Sequence, residues 1–176
     1  VDPIHFDKSV AGVGLGTNFG KTIAETMPDA GIGLVPCAVG GTSVAQWKKD
    51  GALYKEAMRR AKLALKDGTL VGILWHQGEA DISHVATYPA DAAKLFADVR
   101  AELGAPNVPV VVGTLGEFKK GVEEFNAMLH KLPEKIPNSA CADSKGLVHK
   151  GDSVHFDSAS LREFGKRYAA EWLKLA

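Results

Sequence analysis

Short apolar runs alternate with longer amphipathic segments along the whole chain, and this alternation restricts the fold more than any other feature. Four runs are typical of buried strands, at residues 31–39, 70–76, 108–115 and, more weakly, 139–142. Five amphipathic stretches predict helices, at residues 18–27, 52–66, 88–103, 121–132 and 158–173, with Ser158 or Ser160 capping the last. Strands that alternate with helices pair in parallel, so we predict an α/β protein in which residues 1–176 form a single layered domain.

Charge and hydropathy exclude several classes of function. The 176 residues hold 21 Lys and Arg against 21 Asp and Glu, so no excess of cations is available to neutralise a nucleic-acid backbone. No apolar run approaches the roughly 18 residues that span a bilayer, and residues 1–9 lack the pattern of a leader peptide. A composition with 45% hydrophobic and 24% charged residues is typical of a soluble globular protein. It assigns neither a compartment nor an oligomeric state.

The chain has two cysteines, Cys37 and Cys141, and neither belongs to a C-x-x-C pair. A redox or zinc motif therefore has no support. Two buried thiols are favoured over a disulfide because free cysteine packs as a small hydrophobic residue.

Ligands of parallel α/β sheets bind outside the carboxyl ends of the strands, so the residues that follow each strand carry the chemistry. After the first predicted strand come Gly40, Gly41, Thr42 and Ser43, followed by Trp47. Paired glycines let the backbone approach a ligand and direct an N–H at an oxyanion, although a plain tight turn is the simpler reading. Ser43 lacks the G-x-S-x-G context of a nucleophile and is better explained as a helix or turn cap.

The densest polar cluster follows the second predicted strand, where residues 76–81 read His-Gln-Gly-Glu-Ala-Asp. Packing alone does not explain it, because burying such groups unsatisfied costs about 1–3 kcal/mol each. Gln77 can donate an amide N–H to an oxyanion, and Glu79 can orient a histidine. His76, Glu79 and Asp81 lack a zinc-binding spacing. The alternative is a set of exposed loop residues with one structural histidine.

Close to the C-terminus, Asp152 and His155 form a D-x-x-H arrangement just ahead of the last helix. Here the carboxylate can hold the imidazole tautomer that accepts a proton from a serine. Ser153 lies between them, but a nucleophile of this type belongs at the end of the first strand.

Taken together, Gly40 to Ser43 with Trp47, the His-Gln-Gly-Glu cluster and the D-x-x-H loop resemble the later blocks of a branch of the SGNH hydrolases. This branch contains the acetyl xylan esterases of carbohydrate esterase family 6 and the sialate O-acetylesterase-like domains. The resemblance implies a flavodoxin-like three-layer α/β/α sandwich and serine-dependent hydrolysis of acetyl esters on carbohydrates. It implies an acetylated carbohydrate as substrate, and no metal or organic cofactor.

The resemblance also assigns roles. His155 falls on the general base, and Asp152 and Glu79 fall on two carboxylates that each qualify as the acid of the triad, a choice that stays open. Gln77 falls on the side-chain donor to the oxyanion, and Gly40 or Gly41 on the backbone donor. The remaining candidates are possible substrate contacts: Ser43, Trp47 and His76.

The block that supplies the family's nucleophile, Gly-Gln-Ser-Asn at the end of a central strand, does not occur in these 176 residues. We expect about 50–60 further residues upstream of residue 1, the size of a strand-helix-loop unit, with the missing strand between residues 31–39 and 70–76. A separate segment filling that position, or direct pairing of its two neighbours, are the alternatives. Functionally, the alternatives are a catalytically inactive carbohydrate-binding or interaction module that retains the cleft, and a displaced nucleophile at Ser43.

Overall fold

A three-stranded parallel sheet lies at the centre of the molecule, in a computed structural model that describes residues 12–176. The strands are β1 (Ile73–Trp75), β2 (Val110–Gly113) and β3 (Ser139–Ala142), hydrogen-bonded in the order β1-β2-β3. Ile73 lies opposite Val110, and Val110 lies opposite Ser139. All four residues of β2 are buried, as expected of a central parallel strand rich in valine. The predicted α/β class with a parallel sheet is confirmed.

Five α-helices surround this sheet, each overlapping a predicted helix with ends displaced by a few residues. They are α1 (Leu15–Thr26), α2 (Ala52–Ala64), α3 (Tyr88–Glu102), α4 (Glu123–Lys131) and α5 (Ser158–Leu173), with short 3-10 helices at Val44–Trp47, Ile82–His84 and Leu132–Glu134. The predicted cap of α5 is wrong by one residue. Asp157, rather than Ser158 or Ser160, is the N-cap, and its carboxylate accepts the Ser160 N–H at 2.7 Å.

The sheet separates two apolar cores. Val110 and Val112 pack into the core formed with α2, α3 and α4, whereas Val111 packs into the core formed with α1 and α5. Successive side chains of a strand point to opposite faces, so one strand serves both layers of helices. On the second face, Gly165 brings α5 against α1 because a Cβ there would collide with the backbone at Leu15. The result is the three-layer α/β/α arrangement that the resemblance implied.

The predicted strand at residues 31–39 is wrong, because this segment forms no strand in the structure. It is irregular chain tied to α2, where the Arg60 Nε donates to the Pro36 carbonyl oxygen at 3.1 Å. A strand needs a neighbouring ladder, and within residues 12–176 β1 pairs only with β2. The other side of β1 therefore has no strand along it, and Leu34, Val35 and Val71 expose 38%, 43% and 52% of their surface.

The two cysteines are free thiols, each half-buried, which confirms the preference for thiols over a disulfide. Burial raises the pKa of both, that of Cys141 to about 12. Across the described helices, none is both long and apolar enough to cross a membrane.

Candidate active site

Two tyrosines hold the end of β1 and the polar cluster that follows it. The Tyr168 hydroxyl donates to the Trp75 carbonyl oxygen at 2.9 Å, and the Tyr88 hydroxyl donates to the Gln77 carbonyl oxygen at 3.3 Å. Directly after Gln77, Gly78 adopts φ 150°, and a Cβ at this position would overlap the Phe125 ring. Only glycine can therefore make the turn that carries the chain from the buried strand into the cluster.

The loop after residues 31–39 is held by Thr42 and Ser43. The Thr42 hydroxyl donates to the Val39 carbonyl oxygen at 2.8 Å and accepts the Trp47 Nε1–H at 3.0 Å. Ser43 is the N-cap of the 3-10 helix, as the capping interpretation predicted, and its N–H donates to the Gln46 side chain at 2.9 Å. The Ser43 hydroxyl donates to the Gln46 side chain at 3.3 Å, and no histidine among the described residues forms a hydrogen bond with it.

Trp47 does not fit the role of a substrate contact. Its side chain is only 6% exposed, and its ring packs edge-on against Trp75 with 5.5 Å between centroids. A sugar stacks on an open aromatic face, and Trp47 offers none. Its function here is internal, since its indole N–H holds the Thr42 hydroxyl.

Gln77 and Asp81 join the two loops in a buried junction. The Gln77 amide nitrogen donates to the Thr42 carbonyl oxygen at 2.9 Å and to the Asp81 carboxylate at 2.6 Å. The same carboxylate oxygen accepts the Val44 N–H at 2.8 Å. Both amide hydrogens of Gln77 are thus in use, whereas its buried carbonyl oxygen has no partner in the part of the chain described. Gln77 reaches an oxyanion only by giving up one of these two bonds.

Asp81 is a positioning residue that the sequence assigned to no role. Its carboxylate is 5% exposed and, like the Gln77 amide, contacts both loops. The only signal in the sequence was its place in the polar cluster after β1. Its partner Val44 lies 37 positions away and gives no local sign of the contact.

His76 and Glu79 form the second pair in the cluster. The His76 Nε2 lies 3.4 Å from the Glu79 carboxylate, and the imidazole packs against the Phe156 and Phe164 rings at 5.7 and 5.4 Å between centroids. Burial, the largest single influence, would raise the pKa of Glu79, but the His76 imidazole, a backbone N–H and the charge of Lys119 together lower it. The His76 Nδ1 is buried and meets no partner among residues 12–176.

Asp152 and His155 form a close pair on the exposed loop before α5. The His155 Nδ1 lies 2.6 Å from one carboxylate oxygen of Asp152, and the other oxygen accepts the His155 N–H at 2.8 Å and the Val154 N–H at 3.0 Å. These donors, the His155 N–H foremost, hold the pKa of Asp152 far below its usual value. The imidazole is 67% exposed and directs Nδ1–H at a carboxylate, so Nε2 is left as the base.

The two carboxylates that the resemblance offered as the acid of the triad thus lie against different histidines. Asp152 contacts His155, whereas Glu79 contacts His76. Phe156, which follows His155, packs on His76 and joins the two pairs. Of the serines at positions 12–176, none places its hydroxyl within hydrogen-bond distance of His155. The same residues contain no group of three or more acidic, histidine or cysteine side chains arranged for a metal ion.

The backbone donor has a candidate in Gly41, which adopts φ 74°, a value that favours glycine. Gly41 is exposed, and in the described chain its N–H has no acceptor. Gly40, which is also exposed, already has an interaction partner. Of the two predicted glycines, Gly41 is therefore better placed to offer an N–H to a ligand.

Known proteins share both sequence and fold with this chain. A family model described as carbohydrate esterase, sialic acid-specific acetylesterase matches residues 1–174. A probable carbohydrate esterase of Arabidopsis thaliana is 30% identical over 184 residues, which cover 98% of this chain and 69% of the relative. An X-ray structure of an Arabidopsis thaliana protein has a TM-score of 0.87 at 29% identity and covers 96% of this chain and 72% of that one. A carbohydrate acetylesterase from Xanthomonas citri shares the fold, with a TM-score of 0.73 at 21% identity over 92% of this chain and 41% of that one.

Proposed function

Because the chain belongs to the carbohydrate esterase family of sialic acid-specific acetylesterases, we propose that it is a serine-type O-acetylesterase. Its substrates are polysaccharide or sugar acetyl esters of the acetyl xylan type. The observation that carries the proposal is the contact between the His155 Nδ1 and the Asp152 carboxylate at 2.6 Å. That contact prepares an exposed imidazole to accept a proton at Nε2.

In the proposed reaction, a serine hydroxyl attacks the acetyl carbonyl carbon while the His155 Nε2 takes the hydroxyl proton. The resulting imidazolium is stabilised by Asp152, which stays ionised because its pKa is lowered. The tetrahedral intermediate collapses when His155 returns the proton to the leaving sugar oxygen. Water then hydrolyses the acetyl-serine with His155 as base again, which releases acetate.

The negative charge of the tetrahedral intermediate needs donors close to its oxygen. The Gly41 N–H supports this role because nothing described accepts it. Gln77 is the proposed side-chain donor, at the cost of its bond to Thr42 or Asp81. Removal of one such donor typically costs about 2.7–4 kcal/mol of transition-state stabilisation.

We propose that the serine lies on a strand supplied upstream of residue 1 and seated between residues 31–39 and β1. Two observations support this position. One side of β1 has no strand along it within residues 12–176, and Leu34 and Val35, in residues 31–39, and Val71, just before β1, are exposed apolar side chains. An unpaired strand edge can pair with a further segment of chain. No described serine contacts His155, which also favours a nucleophile outside this range.

Hydrolysis of p-nitrophenyl acetate tests this proposal. The assay compares the 176-residue chain with an upstream-extended version that carries a Gly-Gln-Ser-Asn block, each alongside its His155→Ala variant. We expect turnover in the extended protein, loss of that turnover in its His155→Ala variant, and labelling of the upstream serine by a fluorophosphonate. Turnover that persists in the His155→Ala variant, or labelling of Ser43 instead, would contradict the assignment.

A second candidate is a catalytically inactive carbohydrate-binding or interaction module that keeps the esterase cleft. The absence of a described serine at His155 favours it equally. A sugar stacks on exposed aromatic rings, and Trp47 and Tyr54, close to the candidate site in sequence, are only 6% and 2% exposed, which weighs against this module. Binding of acetylated xylan without turnover by the extended protein would favour this module over the enzyme.

A further inference from the structure

His149 lies in the loop that carries Asp152 and His155, and its imidazole accepts two backbone hydrogen bonds from that loop. The Gly151 N–H donates to the His149 Nδ1 at 3.0 Å, and the Ser153 N–H donates to the same atom at 3.1 Å. The other side of the imidazole packs on the Phe118 ring, with 5.2 Å between centroids. Neither the sequence patterns nor the proposed reaction uses this histidine.

The turn that His149 holds has an unfavourable backbone. Gly151 adopts φ 114° and Ser153 adopts φ 56°, and the second value lies in the left-handed region that residues other than glycine rarely occupy. Asp152, between them, is the carboxylate that orients His155. An acceptor that fixes the N–H on each side of Asp152 therefore sets the position of this carboxylate.

We propose that His149 is a positioning residue for the base, because its neutral imidazole holds the turn that presents Asp152 to His155. The proposal rests on the proposed function for its catalytic meaning, but the contact itself does not depend on turnover. A lone pair on Nδ1 is required for both bonds, so His149 carries its hydrogen on Nε2. His155 has the opposite tautomer, with the hydrogen on Nδ1 toward Asp152.

Protonation of His149 would replace the acceptor with a third donor, facing the Gly151 and Ser153 N–H groups. The loop would then lose both bonds, so this arrangement requires the neutral imidazole. The charged and titratable groups of the surrounding segments are Lys150, Asp152 and His155 on the loop, with Glu117, Lys119 and Lys120 flanking Phe118. Among them Lys150 lies 3.5 Å from Asp152.

A pair of variants separates the acceptor from the ring. In His149→Asn the amide oxygen takes the place of Nδ1, accepts the same two N–H groups and does not titrate. In His149→Phe the ring remains available to pack on Phe118, but no acceptor is left. His130→Asn, at an exposed histidine of α4, is the matched control.

Long-range ¹H–¹⁵N NMR of the 176-residue chain reads out tautomers without any turnover. We expect the Nε2–H tautomer at His149 near pH 7.5, and amide shifts of Gly151 and Ser153 typical of hydrogen-bonded N–H groups. These two amide shifts should keep their bonded values in His149→Asn and move to unbonded values in His149→Phe. The Nδ1–H tautomer at His149, or amides indifferent to both variants, would overturn the proposal.

Kinetics of the extended protein supply a second readout. His149→Phe should lower kcat about 10- to 100-fold with little change in KM, the size of effect expected when a catalytic group is misplaced by about 1 Å. His149→Asn should keep kcat within about twofold of wild type at pH 7.5, because its amide oxygen accepts the same two N–H groups. Equal kcat values for the two variants would refute the positioning role. If the NMR result agrees with the proposal but the extended protein hydrolyses no ester, the proposed function is wrong, and the hydrogen bonds of His149 to the turn still stand.

Discussion

Replacement of Asp81 tests whether one buried carboxylate holds the two loops of the candidate site together. Asp81→Ala removes the acceptor of the Val44 N–H at 2.8 Å and of a Gln77 amide hydrogen at 2.6 Å. Asp81→Asn preserves the size of the side chain and one oxygen that can accept both N–H groups, but it removes the negative charge that strengthens both bonds. Asp81→Ala therefore removes the junction completely, and Asp81→Asn weakens it.

The expected magnitudes follow from the contacts. A hydrogen bond to a charged group contributes about 1.5–3 kcal/mol, and the carboxylate is only 5% exposed, so water does not replace the lost partners. Asp81→Ala should lower the free energy of unfolding by about 3–6 kcal/mol, and Asp81→Asn by about 1.5–3 kcal/mol. At about 2–4 °C per kcal/mol for a chain of this size, the melting temperature falls by about 6–24 °C and 3–12 °C respectively.

Urea denaturation followed by circular dichroism measures these differences, with amide hydrogen exchange at Val44 as the local readout. Asp67→Asn is the control, because Asp67 is exposed and forms no ion pair with the described residues. It should change the free energy of unfolding by no more than about 0.5 kcal/mol. If Asp81→Ala were equally neutral, or if exchange at Val44 were unchanged, the junction would not hold the loops.

Three further predictions concern other contacts. Because the folded state lowers the pKa of Glu79, its contribution to stability is present above about pH 4.3 and is lost as the pH falls through the folded value. Between pH 5 and pH 3, the free energy of unfolding should therefore fall less in Glu79→Gln than in wild type, and equal falls would refute the shift. Arg100 is 7% exposed and donates three hydrogen bonds to backbone carbonyl oxygens. Arg100→Met should therefore lower the free energy of unfolding, measured by urea denaturation, by about 2–4 kcal/mol, and an unchanged value would contradict this. Gly78→Ala should cost at least about 2 kcal/mol, since the Cβ overlaps Phe125 and the backbone is strained; a melting temperature within about 2 °C of wild type would count against it.

The sequence predicted the helices and the valine-rich centre of the sheet because those signals are local. The period of apolar residues defines a helix, and buried β-branched runs define a central parallel strand. Residues 31–39 have the same apolar character, yet they form no strand. A strand exists only with a partner, and the partner is a property of distant chain that no local pattern contains.

In the candidate site, too, local contacts were predictable from the sequence and contacts with distant residues were not. The contact of Asp152 with His155 was predictable because they lie three positions apart on one loop. The burial of Trp47 was not, since it depends on Trp75 from another element. The orientation of the Gln77 amide depends on a carbonyl oxygen 35 positions away, at Thr42.

Acetate release from an acetylated xylo-oligosaccharide by the upstream-extended protein tests the central claim most directly. The claim is that His155, oriented by Asp152, is the base of a carbohydrate O-acetylesterase. We expect wild type and Glu79→Gln to release acetate at similar rates, and His155→Ala and Asp152→Asn to lose about 10³- to 10⁴-fold in kcat. Full activity in His155→Ala, or a loss in Glu79→Gln as large as that in Asp152→Asn, would contradict the account.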